Sequence, residues 1–284
     1  MWRLETPTSD DSSTNITTAL TYVNGAVVHP ISESQKARIL ELYEEYDSKS
    51  GNPHNDLKGN DVCPNLLNAI QNAYNQVQKG GRLEDFRNRI KLSADSCPYC
   101  GFGPITDLDH HLPNSLYKAH AIYSKNLIPS CHACNNMKRA KAGDAATEQF
   151  SHVYFGQRPT EPFLTADITV SEKGIVVRYS INKTAELEQE EFERLNYQFN
   201  SLELNQRYVS QINLFLGSQR TAIEDYASIS TEALKQFFRR SYDNQIKDFG
   251  LNHWQTVLLK ALADSDEFCS GGYIHCFGRK NLRI

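Results

Sequence analysis

The sequence predicts an α+β protein, in which a small cysteine-clamped core is embedded in a mostly α-helical chain with one added β-hairpin. Three observations lead there. Two Cys-x-x-Cys pairs, Cys97/Cys100 and Cys131/Cys134, bracket one stretch of the chain. Long tracts on either side place apolar residues at helical spacing. One stretch alternates between apolar and polar residues on both sides of a short turn.

Taken in order, residues 1 to about 30 are rich in Ser, Thr, Asp and Asn, and Thr18–Pro30 alternates weakly, suggesting a strand or hairpin around Asn24-Gly25. Ser32-Glu-Ser-Gln reads as a helix start, and Ile39, Leu40, Leu42 and Tyr43 give that helix an apolar face to about Tyr46. A turn-rich loop follows. A second helix is predicted from Pro64 to Lys79, with Leu66, Leu67, Ile70, Ala73, Tyr74 and Val77 at helical spacing, ending at Gly80-Gly81. A third, Leu83 to Leu92, delivers the chain to Cys97. Beyond the cysteines, FLTADITV, SEKG and IVVRYSI read as strand, turn and strand. Helical segments are expected near 184–203, 205–227, 230–247 and 251–263, the first opening on a run of glutamates that suits a helix N-terminus. The division expected is 1–92, mostly helical; 93–145, the clamped core; and 146–284, hairpin and helices.

At 284 residues, with 39% hydrophobic and 23% charged side chains, the chain can bury a core without disulfide support. No apolar run follows the N-terminal arginine, and no stretch approaches the ~20 apolar residues of a membrane span, so a cytoplasmic protein is expected. Net charge of −4 argues against a surface that coats nucleic acid along its length. One segment runs the other way: Lys91, Lys118, Lys125, Lys138, Arg139 and Lys141 outnumber Asp95, Asp107 and Asp109. That pattern points to a localised contact.

Seven cysteines, four of them in paired spacing, indicate a metal rather than a disulfide framework. Two x₂ knuckles can bring four thiolates to one tetrahedral Zn²⁺, and such a closed site is structural because it keeps no position for substrate. Cys63, Cys269 and Cys276 read as ordinary thiols. Chemistry must then come from other residues in the span. Asp107-Leu-Asp109-His110-His111-Leu-Pro113 offers hard oxygen ligands suited to Mg²⁺ and an imidazole able to take a proton from water. Asn126 and Asn135 follow, then Lys138 and Arg139, which could hold phosphate.

Cys97-x₂-Cys100, Asp109-His110-x-x-Pro113, Asn126, Cys131-x₂-Cys134-Asn135 and Lys138, in that order, resemble the HNH (ββα-metal, treble-clef-like) endonuclease family in its form with a four-cysteine zinc site. The resemblance proper covers about Ser96 to Lys141. A further similarity, carried by CPYCG, LDHHLP, NLIPSCHACN and HVYFG before a hairpin, is to the nuclease subunit of Septu-type anti-phage systems, which acts with an ATPase partner. Family versions read His-Pro-Tyr-Phe-Asp where this chain has His152-Val153-Tyr154-Phe155-Gly156.

The resemblance implies an endonuclease in which His110 activates water, Asp109 and Asn135 hold a catalytic Mg²⁺ or Mn²⁺, Asn126 braces the loop carrying His110, and Lys138 and Arg139 meet phosphate. It implies a nucleic-acid substrate, DNA favoured with RNA or tRNA as the alternative, and a role in bacterial antiviral defence. A non-catalytic zinc-dependent nucleic-acid-binding module is the reading from another class. By strand parity His111 should face away from His110. His132, inside the second knuckle, would donate to a sulfur or touch phosphate. Asp107 is expected to be exposed, with a place behind the metal ligands as the alternative, and His152 to be a packing histidine. The aromatic helices of 190–245 read as core or partner surface.

Overall fold

A computed structural model describes residues 4–7, 11–22, 24–157 and 159–277. It is a mixed α/β structure, predominantly helical, with two small antiparallel hairpins. The chain forms two compact units: residues 2–158 with 193–202, and residues 159–192 with 203–284. The boundary expected near residue 92 therefore separates nothing. The early helices and the cysteine segment share one core, running from Ile16, Ile39 and Leu42 through Leu66, Ile70, Phe86 and Ile90 to Leu108, Leu112 and Leu127. A short two-stranded sheet cannot bury its own apolar face, so it borrows the helices around it.

In the first unit, α1 spans Ser12–Ala19 and ends as the Thr18–Pro30 stretch that suggests a strand or hairpin begins. Asp11 caps it, its carboxylate accepting the Thr14 N–H at 3.0 Å, and the turn buries Asn15, Ile16 and Ala19. Tertiary burial of Ile16 outweighs the β preference of the Thr-rich run. The Asn24-Gly25 turn is present, closed by an isolated Thr21–Val27 bridge, while Val23 lies outside the described residues.

Helix α2, Glu33–Ser48, begins at Ser32 with a reciprocal capping box: Ser32 Oγ accepts the Gln35 N–H and Gln35 Oε1 accepts the Ser32 N–H. It buries Ile39, Leu42, Tyr43 and Tyr46. Helix α3, Pro64–Ala73, starts on Pro64 and tightens into a 3-10 turn over Tyr74–Val77. Helix α4 covers Glu84–Lys91, acidic in its first turn and basic in its last, as the helix dipole favours.

The β1 strand, Asp107–His110, pairs antiparallel with β2, Leu127–Ser130, in the register Asp107–Ser130 to His110–Leu127. Helix α5, His132–Lys138, follows immediately.

The second unit contains the β3–β4 hairpin, Leu164–Ser171 against Gly174–Ile181, joined by a two-residue turn as the alternation predicts. Helix α6, Gln189–Ser201, opens in this unit's residues and continues in those of the first. The helix expected at 205–227 is two, α7 (Leu204–Ser218) and α8 (Arg220–Ile229), broken at Gln219 beside Gly217 and Ser218, both weak helix formers. Helix α9 spans Thr231–Phe249, α10 Trp254–Asp264 and α11 Asp266–Cys269. No helix among the described residues is long and apolar enough to cross a membrane.

Candidate metal centre and adjoining polar site

Each Cys-x-x-Cys pair folds as a knuckle for a local reason. In the first, the Gly101 N–H returns to the Cys97 carbonyl at 2.7 Å, and the Gly103 N–H donates to Cys100 Sγ at 3.4 Å. Gly103 is irreplaceable by space alone, since a Cβ there would lie 2.7 Å from the Cys131 sulfur. In the second, Cys131 is the N-cap of α5, and its sulfur accepts the Cys134 N–H.

The two knuckles bring Cys97, Cys100, Cys131 and Cys134 together, all buried, with their sulfurs within 4.8 Å of one another. A tetrahedral ion with sulfurs at about 2.3 Å needs S···S edges of about 3.8 Å. The Cys100–Cys131 separation is 3.9 Å, so the cluster fits and could hold a structural zinc ion. Crowding splits the thiols' acidities: sulfur hydrogen bonds led by Cys100 hold Cys131 low, whereas burial pushes Cys97 up. Cys63 is exposed, Cys269 buried and Cys276 half-buried, all as free thiols.

On β1, alternation sends Asp107 and Asp109 to the α5 side and His110 to the other. Asp109 does not meet Asn135. Its carboxylate is 3% exposed and bonds Lys138 Nζ at 2.9 Å and the Tyr99 hydroxyl at 2.8 Å. Burial pushes its acidity range upward against the pull of Lys138 and the Tyr99 hydrogen bond. Lys138 is fully buried, and its ammonium also donates to the carbonyls of His110 (2.6 Å) and His111 (3.1 Å). The expectation that Lys138 contacts phosphate is corrected by this: three oxygens inside the fold take its three donors. Arg139 is exposed, with φ at +50° and Nε donating to the Asn136 carbonyl.

The carboxylate that does meet Asn135 is Asp107. Its Oδ2 accepts Asn135 Nδ2 and His132 Nδ1, both at 3.0 Å. Partial burial pushes Asp107 up, but these bonds and Thr106 outweigh it and hold the carboxyl below its usual range. Asp107 was expected to be merely exposed; it is instead the centre of a small surface network. Nor does His132 hydrogen-bond a knuckle sulfur. Because a carboxylate only accepts, His132 Nδ1 carries the proton, and the exposed ring turns Nε2 outward.

His110 packs edge-on against Tyr74, with ring centroids 4.3 Å apart, and its Nε2 lies 2.9 Å from the Ala121 carbonyl. A carbonyl cannot donate, so Nε2 is the protonated nitrogen and Nδ1 keeps its lone pair. Burial lowers the His110 pKa to about 4, partly opposed by that bond. Asn126, fully buried, accepts the Leu112 N–H at 2.7 Å and donates to the carbonyls of Leu112 (3.1 Å) and His120 (3.0 Å). It ties together the two sides of the turn between β1 and β2. His111 faces away from His110, buried against the His152 ring at 4.0 Å.

Two more residues of the basic segment are tied down: Lys125 pairs with Asp47, and Lys118 donates to Asn68. Tyr99, Tyr46, Tyr74 and the Ala121 carbonyl were missed by sequence reasoning. Only the position of Tyr99, inside the first knuckle, could have signalled its involvement.

These buried imidazoles predict acid sensitivity. His120, fully buried, is also lowered to about 4 by burial, with Nε2–H donating to the Leu42 carbonyl. A histidine depressed in the fold binds protons more readily when unfolded, so stability is retained above pH ~6.5 and lost as pH falls toward 4. At pH 5 the cost is about 2 kcal/mol for His120 and less for the partly exposed His110. Urea midpoints at pH 7.5 and 5.0 should separate accordingly; equal midpoints would refute the burial argument.

The geometry therefore defines a mixed α/β protein with a four-cysteine centre able to bind metal and a polar network beside it. Among curated proteins, the chain is similar to protein ea31 of Escherichia phage lambda, with 27% identity over 200 residues covering 66% of this chain and 67% of that protein. No family model matches the chain, and no solved structure matches it.

Proposed function

We propose that the chain is a metal-dependent endonuclease of the HNH (ββα-metal) type, hydrolysing phosphodiester bonds in nucleic acid, with duplex DNA the favoured substrate. The supporting observation is His110 at the end of β1. Its ring is neutral, and its Nε2–H is spent on the Ala121 carbonyl, which leaves Nδ1 as the one nitrogen able to take a proton from water. The order knuckle, β1, β2, knuckle and α5 with Asn135 supports the same reading.

A divalent ion, when bound, would supply charge stabilisation at the scissile phosphate and at the leaving oxygen. Asp107 and Asn135 are the oxygen-bearing pair that the fold joins at the surface; Asp109 would first have to give up Lys138. Purified protein incubated with duplex DNA, single-stranded DNA and tRNA in Mg²⁺ or Mn²⁺ should cut at least one of them, and EDTA should abolish the cutting. His110→Ala should lower the rate at least 100-fold with the fold intact, within the 10²–10⁴ that a general base contributes. Comparing Asp107→Asn with Asp109→Asn identifies the carboxylate that matters. Wild-type rates in His110→Ala would end this assignment.

The buried Asp109–Lys138 pair favours a second reading, a zinc-dependent binding module without catalysis. Binding of nucleic acid with no cleavage under either metal would establish it. The defence role with an ATPase partner rests on the sequence resemblance; co-purification of the two chains tests it.

A further inference from the structure

His110 is oriented through a carbonyl, and the position of that carbonyl depends on residues the proposed reaction does not otherwise use. Hydrogen-bond direction can be assigned along the whole path. The Tyr154 N–H donates to His152 Nδ1 at 3.1 Å, so His152 carries its proton on Nε2. That Nε2–H faces the Tyr46 hydroxyl oxygen at 2.9 Å. Tyr46 in turn donates its hydroxyl proton to Asn126 Oδ1 at 3.1 Å, the nearer of its two acceptors, the Lys125 carbonyl lying at 3.5 Å. Asn126, held by these bonds, fixes Leu112 and His120 on the two sides of the turn, and Ala121 follows His120 directly. The Ala121 carbonyl is the acceptor for His110.

Everything along this path is enclosed. Tyr46 and Asn126 are fully buried and His152 is 5% exposed. Gly51, at φ +71°, completes the enclosure, since a Cβ there would fall 2.3 Å from the His152 ring. A buried hydroxyl that accepts from one side chain and donates to another favours one arrangement of its neighbours.

We infer that Tyr46 and His152 are positioning residues for His110, acting through Asn126 and the Ala121 carbonyl to hold the imidazole in its Nε2–H tautomer. This rests on the reading of His110 as the base. The role is chemical rather than a matter of packing alone, because Tyr46→Phe keeps the ring and removes only the hydroxyl relay.

The experiment measures two things in Tyr46→Phe, His152→Leu, the double variant and Tyr123→Phe: cleavage kinetics, and the ¹⁵N shifts of the His110 ring. Tyr123 lies beside Tyr46 but donates its hydroxyl to Asp47, off the path. Tyr46→Phe and His152→Leu should each lower kcat about 10-fold with KM unchanged and give a mixture of His110 tautomers. The double variant should be no worse than either, and Tyr123→Phe should match wild type. A single Nε2–H tautomer in Tyr46→Phe, kcat within twofold of wild type, or an effect of equal size in Tyr123→Phe would each overturn the inference. If the wild-type protein cuts nothing, the nuclease reading fails while the tautomer measurement still decides the positioning claim.

Discussion

Stripping the metal, or replacing Cys131 with serine, is expected to unfold the cysteine segment of the first unit and to abolish its cooperative melting. Structural zinc contributes an apparent ~10–16 kcal/mol to the folding of small zinc domains, more than the whole net stability of many proteins. Here the four sulfurs join the loop at residues 97–103 to the start of α5, segments 31 positions apart along the chain. The elements beside them, two four-residue strands and a seven-residue helix, are too short to persist unaided. Serine keeps the cap geometry of Cys131 but not the soft ligand. Metal content by atomic emission, with circular dichroism before and after chelation, reads the outcome. Protein that contains no zinc and melts identically after chelation would refute the structural role.

The second large effect is expected at Lys138. Lys138→Met should lower stability by about 3–5 kcal/mol, because it leaves the Asp109 carboxylate buried without its partner. Replacing both residues, Lys138→Met with Asp109→Leu, should recover much of that loss, since an apolar pair needs no compensating charge. Urea titrations of the single and double variants check this. A near-neutral Lys138→Met would place Asp109 in solvent rather than in the core. Combined with cleavage assays, the same variants separate loss of fold from loss of chemistry.

Much of this was legible in the sequence because it is local. The Ser32 capping box, Pro64 at a helix start, the alternation of 164–181 and the two cysteine knuckles each reflect physics acting over a few residues. The helix of Ser12–Ala19 is set by the Asp11 cap and the burial of Ile16, and the break at Gln219 by the weak helix formers Gly217 and Ser218; neither shows in the period of the apolar pattern. At the site, the motif singled out candidate side chains but not which of them meet. Asp107 and Asp109 share a strand face and differ only in depth, and that difference assigns one to Asn135 and the other to Lys138. Strand parity cannot express depth. The contribution of Tyr46 lay further out of reach, since it comes from a helix 80 positions before Asn126.

The two ends of α5 invite a mechanical comparison. The helix is a strut about 10 Å long at 1.5 Å per residue, which a zinc ion held by Cys131 and Cys134 would rivet at one end and which the Lys138 ammonium bolts at the other. Neither fastening involves Asn135, which hangs between them. Loosening one end lets the strut swivel about the other, and each residue of slip turns Asn135 by roughly 100°, clear of Asp107. The fastenings yield to different reagents, an oxidant or chelator at one end and loss of the Lys138 countercharge at the other. Alignment of Asp107 with Asn135 therefore reports on both ends at once.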